Sequence, residues 1–208
     1  MSANLATMAY ASGFFAMLLG NILFLTGVWH YSILRAGLAV TPGPIIVACI
    51  AGPAGRLATR IGFRPVLLIG SAVFSAALAS YATLVGSTPA YVSEWLPATV
   101  LTGIGIGLTF PVLSAAAVSE LPAERFAVGS AVNQTARQVG GALGVAVLVA
   151  LLGDHASGPA ALHLFDHLWV FAACAAATTG ALCSAISPTT QRQAQGLALH
   201  RGQPAAST

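Results

Sequence analysis

Six times along this chain the sequence runs for about twenty residues with hardly a charged side chain, long enough to cross a hydrocarbon core of about 30 Å at about 1.5 Å per helical residue. The runs are Leu5–Val28, Gly37–Leu57, Pro65–Val85, Leu96–Val118, Phe126–Leu152 and Leu164–Ile186. Of the 208 residues, 57% are hydrophobic and only 6% charged, whereas soluble domains carry about 25% charged residues. A water-soluble fold of this length must turn roughly a third of its residues to solvent, and this chain has too few polar ones for that. The expected fold is therefore all-α: a polytopic membrane protein with six transmembrane helices over residues 1–187, followed by a polar, disordered tail over 188–208. Its first partner is the lipid bilayer.

Orientation follows from arginine, the only basic residue type present apart from histidine. Arg56, Arg60 and Arg64 lie between the second and third runs, Arg125 between the fourth and fifth, and Arg192 and Arg201 in the tail. All fall on one side of the predicted topology, with Arg35 alone on the other. Both termini are thus expected in the cytoplasm, with the chain multi-pass in the cell membrane. Trp29, Tyr31, Tyr91, Trp95 and Trp169 fall near the opposite ends of the runs, as an interfacial aromatic belt would. A net charge of +3, spread along the chain, gives no nucleic-acid footprint. Cys49, Cys174 and Cys183 sit inside apolar runs at long spacings and read as small hydrophobes. The N-terminus lacks the basic region and cleavage site of a secretory signal.

The fifth run is the unusual one. In "AVNQTARQVGGALGVAVLVALLG", Val139–Leu152 is apolar but only 14 residues long, too short to cross the core unaided. Its polar head must enter the membrane too. At 100° per residue, Asn133, Arg137 and Gly144 share one line, with Gln134, Gln138 and Gly141 beside it and Gly140 on the other flank. The glycines permit close helix approach, and the amides and guanidinium are expected to face protein or a wet cavity. Arg137 costs at least a few kcal/mol in lipid if unpaired. One reading makes it a cavity-lining cation that meets substrate or a carboxylate. The other makes it a structural arginine that ties helix ends together near the cytoplasmic face, about 16 Å along the helix from Phe126.

Three other features invite chemistry. "GIGIGL" lies inside an apolar run and follows no strand, so Gly103 and Gly107 read as a small-xxx-small packing pair rather than a phosphate loop, and Pro111 as a kink. "HLFDH" places His163 and His167 four apart around Asp166, yet lacks an assured third ligand, and outer-interface residues are the plainer reading. No serine or threonine forms a nucleophile motif beside a histidine. Neither an enzyme, a metal site nor a bound cofactor is expected.

"GPAGRLATRIGFRP" carries a resemblance. Gly55, Leu57, Ala58, Arg60, Gly62 and Arg64 are similar to the signature cytoplasmic loop of the major facilitator superfamily, with Thr59 where that loop has aspartate. "YSILRAGLAVTPGP" and the stretch Gly103–Leu148 resemble the fourteen-helix drug–proton antiporter branch (the EmrB/QacA type), specifically its last six helices. The resemblance implies half of a major facilitator bundle and multidrug-type efflux of small amphipathic or cationic compounds by alternating access with proton antiport. It places Gly55, Arg56, Arg60, Gly62 and Arg64 in a cytoplasmic hinge loop, with the Thr59 departure putting its charge relay in doubt. It turns Asn133, Gln134, Arg137 and Gln138 toward the inter-domain cavity, with Gly140, Gly141 and Gly144 in helix packing.

Proton coupling needs a titratable group deep in the membrane. Glu94, Glu120, Glu124, Asp154 and Asp166 all fall toward the ends of runs or in loops, as do the histidines His30, His155, His163 and His167, and His200 falls in the tail. The proton carrier is therefore expected in a missing N-terminal transporter half, in the same gene or a separate chain. The abrupt entry from Met1 into an apolar run also suggests a truncated or split half, and pairing of two copies is the less favoured arrangement. From another functional class, the alternative is a non-transporting membrane fragment or a regulatory partner of a transporter half.

Overall fold

The computed structural model describes residues 2–119, 121–153 and 161–184. The expected tail over 188–208, with Arg192, Arg201 and His200, lies outside the described residues, as do Glu120, Asp154 and His155. Most of the described chain is helical: α1 (Ser2–Gly27), α2 (Ile33–Val40), α3 (Pro42–Ile61), α4 (Phe63–Leu84), α5 (Leu96–Val118), α6 (Phe126–Leu152) and α7 (Ala161–Ser184). Taking α2 and α3 as one span, six helices are long and apolar enough to cross a membrane, as the six runs require.

Local chemistry sets the joints. The Ser32 side chain caps α2 by accepting the Arg35 N–H at 3.3 Å. "TPGP" divides the second span without turning it back, because Thr41 stays helical and its hydroxyl donates to the Gly37 carbonyl at 2.8 Å. Pro42 then occupies the first turn of α3, where its lack of an N–H leaves nothing unsatisfied. Between α3 and α4 stands a single residue, Gly62, at φ 97° and ψ 159°, a region essentially reserved for glycine. A wide π-helical turn over Tyr91–Trp95 leads into α5, and a 3₁₀ turn over Ala123–Arg125 into α6.

The helices pack as a chain of neighbours. Helix α1 lies between α6 and α7, α7 continues to α4, α4 to α5, and α5 to α3, while lesser contacts join α1 and α6 to α5. Helices α3 and α6 are therefore each supported mainly from one side, and their spans bury the least of the six. Close approach falls where side chains vanish. A Cβ on Gly103 would lie 2.9 Å from the Gly43 carbonyl and one on Gly107 3.0 Å from Ile50, so this pair seats α5 on α3. Gly140 and Gly144 seat α6 on the backbone of Met8 and Ser12 in α1, and Gly141 lies against the Phe15 ring.

The aromatic residues differ from expectation. Trp29, Tyr31, Trp95 and Trp169 are gathered at one end of the bundle, but they are buried in it rather than spread along an interface. Phe24 stacks on Trp95 (centroids 5.6 Å, 9°) and meets Trp169 and Phe165 at 5.1 and 5.3 Å, while Tyr81 stacks on Trp169. Trp29 Nε1–H donates to the Gly86 carbonyl at 2.9 Å, and the Gly86 N–H donates to Glu94 at 3.2 Å. Each ring finds more apolar area against other rings than a headgroup layer would give it, and pairing adds about 0.5–1.5 kcal/mol beyond burial. A sequence pattern locates such residues along a helix but not around it.

Candidate functional site

A cleft of about 290 Å³ opens between α1, the α2–α3 joint and α5. Its walls are apolar: Phe14, Met17 and Leu18 from α1, Pro44 and Val47 from α3, Ile106 from α5. Its polar atoms come from Asn21, Tyr81, Thr99 and Thr102. Thr99 donates its single hydroxyl proton to the Trp95 carbonyl at 2.9 Å, so the Tyr81 hydroxyl 2.8 Å away is the donor to Thr99 Oγ1. Thr102 donates to the Thr99 carbonyl at 2.8 Å. Trp169 Nε1–H donates to Asn21 Oδ1 at 3.0 Å, and the Trp169 ring stacks on Tyr81 at 5.4 Å. The polar patch is thus fixed from behind by two buried aromatic rings.

Behind the Phe14 wall of the cleft, two packed rings lead toward α6. Phe14 on its wall packs edge-on against Phe110 at 5.1 Å, and the Arg137 guanidinium lies over the Phe110 ring, 4.7 Å from its centre. Arg137 also donates from Nη2 to Ser114 Oγ at 2.8 Å, an oxygen free to accept because its own proton goes to the Phe110 carbonyl. The buried Nε of Arg137 has no partner among the described residues. Nor is a carboxylate paired with it: the one ion pair among the described residues is His163–Asp166 at 3.8 Å, in the first turns of α7. A guanidinium with a single hydrogen bond and a ring beneath it keeps most of its donors for another group.

The other polar residues of α6 part company. Asn133 is buried and donates to Asn4 Oδ1 at 3.1 Å and Thr7 Oγ1 at 2.9 Å, which ties α6 to α1. Gln134 and Gln138 are exposed on the unsupported side of α6. Of the arginine-rich segment, Gly55, Arg56 and Arg60 are still in α3 and Arg64 is already in α4, leaving Gly62 as the whole of the connection. Arg56 and Arg60 are exposed and Arg64 is half-buried. Nothing lies within 4 Å of a Cβ on Gly55, so that glycine serves no close approach here. Pro111 lies inside α5, next to Phe110, and removes the N–H that the Gly107 carbonyl would otherwise accept.

Asn21, Tyr81, Thr99 and Thr102 did not stand out in the sequence. Each is a lone polar residue in an apolar run, and lone hydroxyls in membrane helices mostly bond back to their own helix. The available signal was Asn21, an amide in the middle of the first run, which has no such local partner.

Comparison with known proteins gives a consistent picture. The profile of the Major Facilitator Superfamily matches residues 2–145. A puromycin resistance protein of Streptomyces alboniger is 37% identical over 162 residues, covering 72% of this chain and 32% of that protein. A multidrug resistance protein B homolog of Mycobacterium tuberculosis is 28% identical over 150 residues, covering 72% of this chain and 28% of the relative. Among solved structures, a D-xylose-proton symporter superposes with a TM-score of 0.69 at 20% identity, covering 96% of this chain and 51% of the symporter. The chain thus matches about a third of the length of these curated relatives.

Proposed function

Because the chain belongs to the Major Facilitator Superfamily, whose fold and members are those of membrane transporters rather than enzymes, we propose that it is the C-terminal translocating half of a multidrug-type exporter. On this reading it works by alternating access with proton antiport, in the cell membrane, with both termini in the cytoplasm. The observation that carries it is the apolar cleft with a fixed polar floor, whose wall residue Phe14 packs on Phe110 beneath the Arg137 guanidinium. Such a surface holds an apolar body and fixes its orientation with few polar contacts, as small-molecule sites do. The exposed flanks of α3 and α6, with Gln134 and Gln138 on the latter, are where a companion N-terminal bundle would close over the cleft. Arg56, Arg60 and Arg64 would meet it at the cytoplasmic end, across the Gly62 hinge.

The described carboxylates support placing the proton carrier in that companion. Glu94 sits in the turn before α5, Glu124 in the turn before α6, and Asp166 in the second turn of α7, all at helix ends. Disrupting the coding segment for this chain is expected to raise the accumulation of a fluorescent amphipathic dye in energised cells. Proteoliposomes holding this chain alone are expected to show no proton-coupled export. Unchanged accumulation in the disrupted cells would favour a non-transporting or regulatory role instead.

A further inference from the structure

The polar floor of the cleft has a definite hydrogen-bonding sense. The Asn21 amide has one oxygen and one NH₂ group, and the Trp169 Nε1–H at 3.0 Å needs an acceptor, so the oxygen is committed to the tryptophan. The NH₂ group lies beside the Tyr81 hydroxyl oxygen, which can take one of its two protons, and among the described residues no other side chain accepts from it. Asn21 lines the cleft, so the second proton is left for a group bound there, on a side chain that cannot swing away without breaking the Trp169 bond. The nearby hydroxyl protons of Tyr81, Thr99 and Thr102 are all spent on protein partners. No lining residue is acidic, basic or histidine. A cation entering this space would lose water and gain no counter-charge, which is unfavourable in apolar surroundings. A neutral molecule with a carbonyl would instead satisfy the amide that is waiting.

We infer that the cleft selects uncharged, largely aromatic or aliphatic compounds bearing a hydrogen-bond acceptor, that Asn21 is the residue that reads the acceptor, and that this half of the cavity disfavours cations. The inference rests on the reading of the cleft as the exporter's substrate site. The test is binding of a matched pair of probes, tritiated 2-naphthamide and the 2-naphthylmethylammonium ion, to the full chain in lipid nanodiscs. The wild type is expected to bind 2-naphthamide saturably and at least about tenfold more tightly than the ammonium ion, the worth of one good hydrogen bond. Asn21→Leu is expected to lose about that factor for 2-naphthamide and none for the ammonium ion. Asn21→Asp keeps an oxygen for Trp169, removes the NH₂ and supplies a charge, so at pH 8.5 it is expected to reverse the preference; it also decides the matter if Asn21→Leu does not fold. Saturable binding with equal affinities, with a preference for the cation, or with no response to either substitution overturns the role of Asn21 and leaves the cleft as a substrate site. Absence of saturable binding of both probes overturns the cleft as a substrate site, and the inference falls with it.

Discussion

Helix α6 is held to α1 mainly by the absence of side chains, and that makes a sharp prediction for Gly144→Ala. A Cβ there would press on the carbonyl oxygen of Ser12, with its carbonyl carbon at 2.8 Å and its Cα at 3.0 Å. All three are backbone atoms of α1, so no rotamer change can relieve the contact. Carbon pairs sit comfortably at about 3.5–4.0 Å, which means the two helices must part by roughly 0.7 Å or more. Overpacking of this kind is destabilising by about 1–3 kcal/mol, and a backbone-on-backbone clash belongs at the upper end. Against this, alanine is a better helix former than glycine by about 1 kcal/mol. The net loss should be near 2 kcal/mol. Gly55→Ala isolates the second term, because nothing lies within 4 Å of its Cβ; it should be neutral or stabilising by up to about 1 kcal/mol. The assay is thermal unfolding of the purified chain in one detergent, followed by helical circular dichroism. At about 2–4 °C per kcal/mol for a chain of this size, Gly144→Ala should melt roughly 4–8 °C below wild type and Gly55→Ala at or slightly above it. Gly140→Ala, which presses on the Met8 carbonyl one turn away, should behave like Gly144→Ala. The double variant should lose less than the sum, because helices already parted accommodate the second methyl. Melting of Gly144→Ala at or above the wild-type temperature would refute the packing argument.

Three further substitutions test other joints. Asn133→Leu removes two hydrogen bonds between α6 and α1 and should lower stability by about 1–2 kcal/mol in the same melting assay, the expected worth of such bonds in membrane bundles. Gly62→Ala forces a methyl-bearing residue to φ 97° and ψ 159° and should destabilise by about 1–3 kcal/mol, whereas Gly37→Ala, in open space, should not. Arg137→Leu should reduce dye export by the assembled transporter about tenfold or more while leaving the melting temperature unchanged, and Arg137→Lys should restore it only in part, because an ammonium is a point charge without the flat fork that lies over Phe110; parallel loss of export and melting temperature would make Arg137 a structural tie instead.

How much of this was legible beforehand depends on whether one residue or a pair of helices carries the information. The six spans could be read because each is an additive property of its own run: about twenty apolar residues suffice, whatever surrounds them. The family loop could be read because Gly62 has a conformational reason to be glycine that is local to it. The polar head of α6 could be seen to avoid lipid, but not what it would meet. Asn133, Arg137 and Gln138 lie within one and a half turns, yet the first turns to α1, the second to α5 and the third to open space. Helical periodicity resolves a face to about the width of one neighbour, and α6 has three, α1 foremost with α5 and α7 beside it, and a free side. The aromatic residues make the same point from the other direction. Trp29, Tyr31, Trp95 and Trp169 do gather at one end of the bundle, but burial is decided around the helix axis, where Phe24, Tyr81 and Phe165 wait to stack. The cleft was the least legible of all. Its polar floor is built from a few polar residues on α1, α4 and α5 whose chemistry emerges only once Trp169, far along the chain on α7, takes the oxygen of Asn21 and leaves its NH₂ group to the cleft and Tyr81. A sequence can show that a membrane helix carries an amide. Which end of that amide is available is fixed by a partner 148 residues away, and on the inference drawn above that choice, rather than the amide itself, decides what the cleft would recognise.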